Sequence, residues 1–479
     1  MSATPPSSNY GSGMAAIDAL RRMQPPAKGA TPVTEESTAA YYPSHHVSAT
    51  MIVCLASCIM GAAVGYASLA IPELSGETAI EIIPYSSEAR WFVAMLPLAA
   101  VPGALASCLM MNHLGPRRTM MVSGWGFVCS WFMMMLCTDT MTLFMGRIIG
   151  GFYSGVVSVC VPLYVTEISP ACRRAMLAGI IQVAVGLGIL LPYVLFPFLR
   201  WRLVAAACTV PPVIFVVIVH RLRDTPQWLL SKGIRVDADR AVIHFYGTDF
   251  LAEFEFRKFE MENVIPYESK YKTHTRVGLC LSLQLLQHSS FANVIFFNAT
   301  QILKTATPDV PTDICAALMV ASHPGITLIF SVLTADIGRR PLLVLSTVLV
   351  TAGLVAFRSM ETLRCAFNEQ QVQAEGSWPA AFAIFFVVIG HSLGLGHIPW
   401  LLTCEIMPLH IRGVGTSFVV AAYWSFCFVL LYFTRPILDA FAYQVVAWIY
   451  GIALLILAGV VAYMTPETEG KSLATITAN

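Results

Sequence analysis

The sequence predicts an all-α membrane protein: twelve transmembrane helices in two six-helix pseudo-repeats, with short cytoplasmic linker helices between them. Three observations predict this. Of the 479 residues, 56% are hydrophobic and only 12% charged, where soluble domains carry roughly 25% charged residues. Twelve apolar runs of about 20 residues, the length that crosses a bilayer, fall into two groups of six. Three short motifs then recur in the same order in both groups.

Residues 1–47 are rich in Ser, Thr, Pro and Gly and hold no sustained apolar run, as expected of a disordered cytoplasmic tail. The first apolar run begins near Val47, too late for a cleaved signal peptide, and reads as a retained span. A first bundle over 48–221 holds runs at about 48–72, 90–112, 119–138, 142–166, 176–199 and 203–220. Residues 222–275 form a polar linker. Its stretches "VDADRAVIHFYG" (236–247) and "LAEFEFRKFEMENV" (251–264) have the mixed spacing of short amphipathic helices on a cytoplasmic face. A second bundle over 276–464 holds runs at about 277–303, 312–334, 341–360, 378–403, 413–434 and 442–464. Residues 465–479 form a C-terminal cytoplasmic tail.

Positive charge orients the spans. With both termini inside, the cytoplasmic side holds Arg21, Arg22, Lys28, Arg117, Arg118, Arg173, Arg174, the ten Lys/Arg from Arg221 to Arg276, Arg339, Arg340, Arg412 and Lys471. The outer side receives Arg90, Arg147, Arg200, Arg202, Lys304, Arg358, Arg364 and Arg435. Both termini are therefore expected in the cytoplasm.

The repeat is read from the loops. "GPRR" (115–118) after span 2 matches "GRR" (338–340) after span 8. "EISPACRR" (167–174) after span 4 matches "EIMPLHIR" (405–412) after span 10, and "DTPQWLL" (224–230) after span 6 matches "TPETEGKSL" (465–473) after span 12. Parallel six-span repeats with a site between the halves are a transporter architecture. Charged residues gather at these helix ends: Arg117, Arg118, Glu167, Arg174 and Asp224 in the first half, Arg339, Arg340, Glu405, Arg412 and Glu467 in the second. Ion pairs there could hold the halves together and release when they rock apart, the reading of a cytoplasmic gate.

Other chemistry is excluded or unsupported. A net charge of +1 gives no electrostatic case for nucleic acid. The 13 cysteines are scattered in apolar segments without metal spacing and read as buried free thiols. No nucleophile–base pair marks an enzyme, and neither a metal nor a cofactor is implied. "TEGKS" (468–472) imitates the end of a phosphate loop, but Thr465 stands where its first glycine belongs and no strand precedes it. The sequon at Asn298 falls inside span 7, away from the modifying enzyme. The small residues of "GRIIG" and "GFYSG" (146–155), four apart, predict close helix packing.

Span 7 is the anomaly. "LLQHSSFANVIFFN" (285–298) carries Gln287, His288, Ser289, Ser290, Asn293 and Asn298 in an apolar run, and polar groups at that depth are expensive without a function. At 100° per residue, Gln284, Gln287, His288, Phe291 and Asn298 share one face and Asn293 lies off it. Asn293 joins the cluster only if the helix breaks near 291–292, which Phe291 opposes.

On "GRIIGGFYSG…PLYVTEISPACRR" (146–174), "DIGRR" (336–340), "GHIPWLLTCEIMP" (396–408) and "PETEG" (466–470), the chain resembles the sugar porter family of the major facilitator superfamily from about residue 48 to 473. Its general style is similar to the arthropod trehalose and hexose facilitators. The resemblance implies alternating access around a central site for a neutral, polyhydroxylated sugar. It assigns substrate contacts to Gln182 in span 5, to Gln287, His288 and Asn293 in span 7, and to His323 in span 8. Trp400 in span 10 and Trp424 in span 11 complete the set. Departures from the family pattern are His288 for a glutamine, Phe291 for a glycine, His397 for a proline, Ser392 for a frequent acid and Tyr423 for a frequent asparagine. Asp224 and Gln227 likewise replace a glutamate and an arginine.

Amides present a donor and an acceptor together and suit hydroxyl pairs, while tryptophan rings stack on C–H faces. In the symporters of the family an Asp follows the Gly-Tyr of span 1; here the residues are Gly65, Tyr66 and Ala67, and Ala67 carries no proton. Facilitated uniport is the expectation. His288, His323, His391 and His397 within spans motivate an alternative, proton-coupled or pH-sensitive transport. A non-transporting sugar sensor on the same fold is a further alternative. The expected setting is a lipid bilayer, the plasma membrane by family default, with the protein a monomer.

Overall fold

The computed structural model describes residues 45–75, 82–84, 86–246, 270–306, 311–366, 378–408, 411–440 and parts of 451–465. Residues 1–44 of the expected tail, the linker stretch 251–264, most of span 12, Glu467 and "PETEG" lie outside the described residues, whereas residues 45–47, expected in the tail, are the start of the first helix. Among those described there are helices and no strand.

The first half runs through α1 (His45–Leu74), α2 (Ser87–Leu114), α3 (Pro116–Leu136), α4 (Thr140–Ile168) and α5 (Ala171–Leu195). Its sixth span is the pair α6 (Trp201–Cys208) and α7 (Val210–Ile218). Two short helices follow, α8 (Pro226–Ser231) and α9 (Arg235–Tyr246), the latter on the first of the two linker stretches. The second half begins with α10 (Lys270–His288) and α11 (Ala292–Ala306), which share span 7 between them. Then come α12 (Thr312–Ile337), α13 (Arg339–Ala366) and α14 (Trp378–Gly390). A π-helical turn over His391–Leu395 leads into α15 (Ile398–Ile406), and α16 (Arg412–Ala440) closes the described set. Ten segments among the described residues are long and apolar enough to cross a membrane.

Local chemistry explains where the helices start and stop. Ser86 caps α2 by accepting the Ala89 N–H at 3.1 Å, and Asp139 caps α4 by accepting the Thr142 N–H at 3.2 Å. The repeat is visible in the backbone. Gly115 (φ 85°, ψ 159°) turns α2 into α3, and Gly338 (φ 88°, ψ 159°) turns α12 into α13. Each N–H returns to the carbonyl four residues back, on Met111 and on Thr334, both at 3.0 Å. That conformation is open to glycine and strained for other residues, which is why both loop motifs begin with one.

Helix contact is close because small residues face one another. A Cβ on Gly151 or Gly155 of α4 would collide with the backbone carbonyls of Leu96 and Ala100 on α2. The small-residue spacing in span 4 is thus a packing device. The halves meet where α12 packs on α5 and α16 packs on α2.

One charge of the loop count lies within a helix. Arg147 lies inside α4, 1% exposed. Its guanidinium donates to the carbonyls of Phe92 (3.2 Å) and Ala63 (2.5 Å) and lies over the Phe92 ring. Helix carbonyls from two neighbours replace water there.

Candidate substrate site

The site is built on the break in span 7. α10 stops at His288 and α11 starts at Ala292. Between them Phe291 has φ 57°, the one positive-φ residue other than glycine among the described residues. Ser290 secures the break: its hydroxyl donates to the Gln287 carbonyl (2.6 Å) and accepts the Ala292 N–H (3.3 Å). Phe291 N–H in turn reaches the His288 carbonyl at 3.1 Å. A second distortion falls at Asn298 (φ −137°), whose amide donates to the Val294 carbonyl.

The break redirects Asn293 into the cluster from which an unbroken helix excludes it. Asn293 Nδ2 lies 3.2 Å from His288 Nε2 and 3.2 Å from the Tyr423 hydroxyl. With an amide N–H donating to it, His288 Nε2 is an acceptor. Nδ1 therefore carries the proton and donates to the Gln284 carbonyl at 3.1 Å.

The same proton bookkeeping applies to three further histidines. Ser392 donates to the Val388 carbonyl (2.6 Å), so His323 Nδ1 donates to it at 2.8 Å. Ser290 is committed to Gln287, so His391 Nδ1 donates to it at 2.9 Å. Thr334 donates to the Phe330 carbonyl (2.6 Å), so His397 Nε2 donates to it at 3.2 Å. Each ring keeps its second nitrogen as an acceptor. The amides lean the same way. Gln287 Nε2 donates to the Gly396 carbonyl (3.2 Å) and Gln284 Nε2 to Thr403 Oγ1 (3.1 Å). Their oxygens, Gln287 Oε1 and Gln284 Oε1, are buried without a hydrogen-bond donor. A buried acceptor without a donor is costly, so these oxygens suit a ligand rich in hydroxyl donors.

Aromatic rings pack beside the cluster, with Tyr423 against His288 at 4.2 Å, Trp400 at 4.7 Å and Trp424 at 5.3 Å. Trp400 of α15 is 8% exposed and Trp424 of α16 is 3% exposed. Trp424 Nε1 donates to Ser158 Oγ of α4 at 2.9 Å, a bond between the halves. Gln182 is half-buried on α5. Its distance from the other candidates is set by the packing of α5 on α12, where His323 lies against Gly186. Sequence reasoning did not select Gln284, Ser290 or Tyr423 as contacts. Gln284 was signalled by its place one turn before Gln287 on the same face.

At the motif-bearing end, the charged residues are wired across the repeat rather than within each motif. Glu405 is fully buried and receives Arg339 (2.6 Å) from its own half and Arg174 (3.4 Å) from the other. Arg412, in the same motif as Glu405, instead donates from Nε to the Met407 carbonyl at 3.3 Å. Arg340 donates to the Thr465 carbonyl. Asp224 accepts the Arg117 N–H at 3.1 Å, and burial raises its carboxyl above the usual aspartate range against the pull of Arg117 and Arg118. Arg117 also donates to the Leu222 carbonyl at 3.3 Å, Arg118 is exposed, and Glu167 accepts the Tyr246 hydroxyl on its backbone carbonyl at 2.6 Å. The opposite end is closed as well. Ser68 Oγ on α1 lies 3.3 Å from Thr300 Oγ1 and accepts the Thr300 N–H at 3.1 Å on α11, and Trp91 of α2 packs on Tyr432 of α16 at 4.7 Å. The two halves are thus in contact at both ends of the bundle.

Known proteins match this architecture along the whole chain. The solved proton:xylose symporter XylE bound to 6-bromo-6-deoxy-D-glucose superposes with a TM-score of 0.79 at 22% identity, over 91% of this chain and 99% of that one. The inward-open XylE from E. coli gives a TM-score of 0.67 at 20% identity over 90% of this chain and 99% of that one. Among curated proteins, the facilitated trehalose transporter Tret1 of Polypedilum vanderplanki is 26% identical over 469 residues, 95% of this chain and 92% of that protein. Tret1 of Drosophila virilis is 26% identical over 473 residues, 96% of this chain, which spans 51% of that relative's length. The profile described as "Sugar (and other) transporter" matches residues 49–479. The chain is a multi-pass membrane protein that shares the fold of these solved major facilitator proteins and belongs to the family described as sugar (and other) transporters.

Proposed function

We propose that the protein is a facilitative uniporter carrying a neutral hexose or disaccharide, trehalose included, by alternating access. The observation that carries this reading is the uncharged polar cluster on the broken span 7, where Gln284 Oε1 and Gln287 Oε1 are buried acceptors without donors. Gln182, Gln287, His288, Asn293, His323, Trp400 and Trp424 are its substrate contacts. The names of the Tret1 relatives support trehalose as one member of the class. Passive transport is supported by Ala67, fully buried on α1 and without a titratable group. The bundles 48–221 and 276–464 rock about the cluster, and the ion pairs on Glu405 gate the cytoplasmic end. Both termini are cytoplasmic, the setting is the plasma membrane, and the unit is a monomer.

The test is counterflow in proteoliposomes with a panel of hexoses, disaccharides and polyols, with and without an imposed pH gradient. Exchange without accumulation is expected for at least one neutral sugar, and Gln287→Ala should slow it about tenfold or more without reducing insertion. No exchange by any of them would remove the reading and leave a sensor. The four imidazoles in the second half favour one second reading, proton coupling. Uphill accumulation driven by the gradient would establish it.

A further inference from the structure

The start of α3 and the 3-10 turn Val219–Arg221 after α7 border a cavity of about 220 Å³, lined by Arg117, Arg118, Met121, Val219 and His220. Sites that enclose a whole drug-sized ligand run to roughly 300–1,000 Å³, so this one suits a headgroup. Its polar lining is basic throughout. Arg117 spends its N–H on Asp224 and one guanidinium nitrogen on the Leu222 carbonyl. The charge of Arg118 acts on Asp224. Among the described residues, however, no hydrogen bond or ion pair engages the side chain of Arg118 or of His220, and both are exposed. Arg221 and Arg223 are exposed beside them in the chain, so the one carboxylate of Asp224 leaves this end positive.

Apolar surface continues from the basic rim along both helices. On α3, Trp125 and Phe132 follow Arg118 at intervals of seven, on the same face, and are 59% and 51% exposed. On α7, Val213 and Val217 precede His220 at intervals of four and three and are 46% and 67% exposed. The helices touch between these stripes, where a Cβ on Gly124 would collide with Val216. We propose that this cleft binds one phospholipid with an anionic headgroup, its phosphate held by Arg117, Arg118 and His220 and its acyl chains laid along Trp125 and Val217. Guanidinium groups match phosphate oxygens in pairs, and basic pockets between spans recognise such headgroups. In the orientation proposed above, the cleft faces the cytoplasmic leaflet, where anionic lipids gather. Inorganic phosphate shares the headgroup chemistry but makes none of the apolar contact. Binding here is independent of the substrate carried by the central site.

The test titrates the purified chain in detergent with brominated phosphatidylglycerol and, separately, brominated phosphatidylcholine, and reads tryptophan quenching. The part of the quench that Trp125→Phe removes is the signal of this cleft. Phosphatidylglycerol should reach half-quenching at a concentration about fivefold or more below that of phosphatidylcholine. Arg118→Gln combined with His220→Gln should abolish that preference, and Arg202→Gln, at an exposed arginine on the far end of span 6, should keep it. Equal half-quenching by the two lipids in the wild type overturns the proposal, and this comparison decides alone if the double variant fails to insert. A preference that survives the double variant overturns it too, as does a phosphatidylglycerol quench that Trp125→Phe leaves unaltered. A loss as large in Arg202→Gln would assign the preference to overall charge and remove the site. Inorganic phosphate should not displace the lipid at matched concentration; if it does, the cleft is a free-anion site and the lipid assignment falls.

Discussion

Phe291 carries the conformation that makes the site, and it does so against its own preference. A φ of 57° in a residue with a Cβ costs about 1–2 kcal/mol relative to the right-handed region. Ser290 holds the strain in place by bonding both ends of the break. Strain of this kind persists where surrounding structure over-determines it, and it gathers at functional sites. A β-branched residue tolerates this φ worse than an unbranched one, and glycine is at ease with it. Phe291→Val should therefore be less stable than Phe291→Gly by about 1–2 kcal/mol, since both lose the ring and differ chiefly in backbone compatibility. Thermal unfolding of the two variants in the same detergent measures this, and an equal or higher Tm for the valine variant would contradict it. The sequence exposed the cluster Gln284, Gln287 and His288 through the helical period. The period alone left Asn293 off that face, and only the resemblance placed it in the cluster, because the period holds only while the helix continues and Phe291 argues for continuation.

At the scale of elements, the linker helix α9 is tied to the start of α1 by an imidazole stack. His244 and His45 have ring centroids 4.4 Å apart, inclined by 19°. Burial, then the neighbouring His45 and Arg223, lower the His244 pKa below its ordinary 6.5. A base with a lowered native pKa stays neutral while the unfolded chain takes up its proton. Its stabilisation is therefore complete above pH 6.5 and is lost as pH falls below that value. His244→Gln should lose less Tm than the wild type between about pH 7.5 and about pH 5.5. Parallel curves for the two proteins would show that the stack has no part in acid sensitivity. Among the described residues the apolar spans were legible, because apolar length and glycine-led loops are local properties; Gly115 and Gly338 adopt nearly the same φ and ψ, as their shared motif implies. The π-turn at His391–Leu395 was not legible. Its residues, His391 to Leu395, leave no local signal for it.

Across the whole molecule, the partners of each charge are not written in any one motif. The charges at these helix ends suggested ion pairs between the halves without naming partners, and Glu405 collects Arg339 from its own half and Arg174 from the other. Pairing across an interface depends on helix placement, which a single motif does not encode. Arg174 is thus the element of the Glu405 cluster that must let go when the motif-bearing end opens, while Arg339 keeps Glu405 compensated within its own half. Removing one partner of a buried pair usually costs about 3–5 kcal/mol, because a charge is left alone. Here Arg339 at 2.6 Å remains, so the loss falls mainly on the closed arrangement and not on folding. Each 1.4 kcal/mol lost from that arrangement shifts open against closed about tenfold. Spin labels at the exposed Leu114 and Ile337, on the ends of α2 and α12, would report it in a background cleared of accessible cysteines. Arg174→Ala should add a longer distance component with little change in Tm, and Arg339→Ala should lower Tm because it strips the shorter of the two contacts from a fully buried carboxylate. A distance distribution in Arg174→Ala that matches the wild type would show that the cross-half ion pair does not hold the gate.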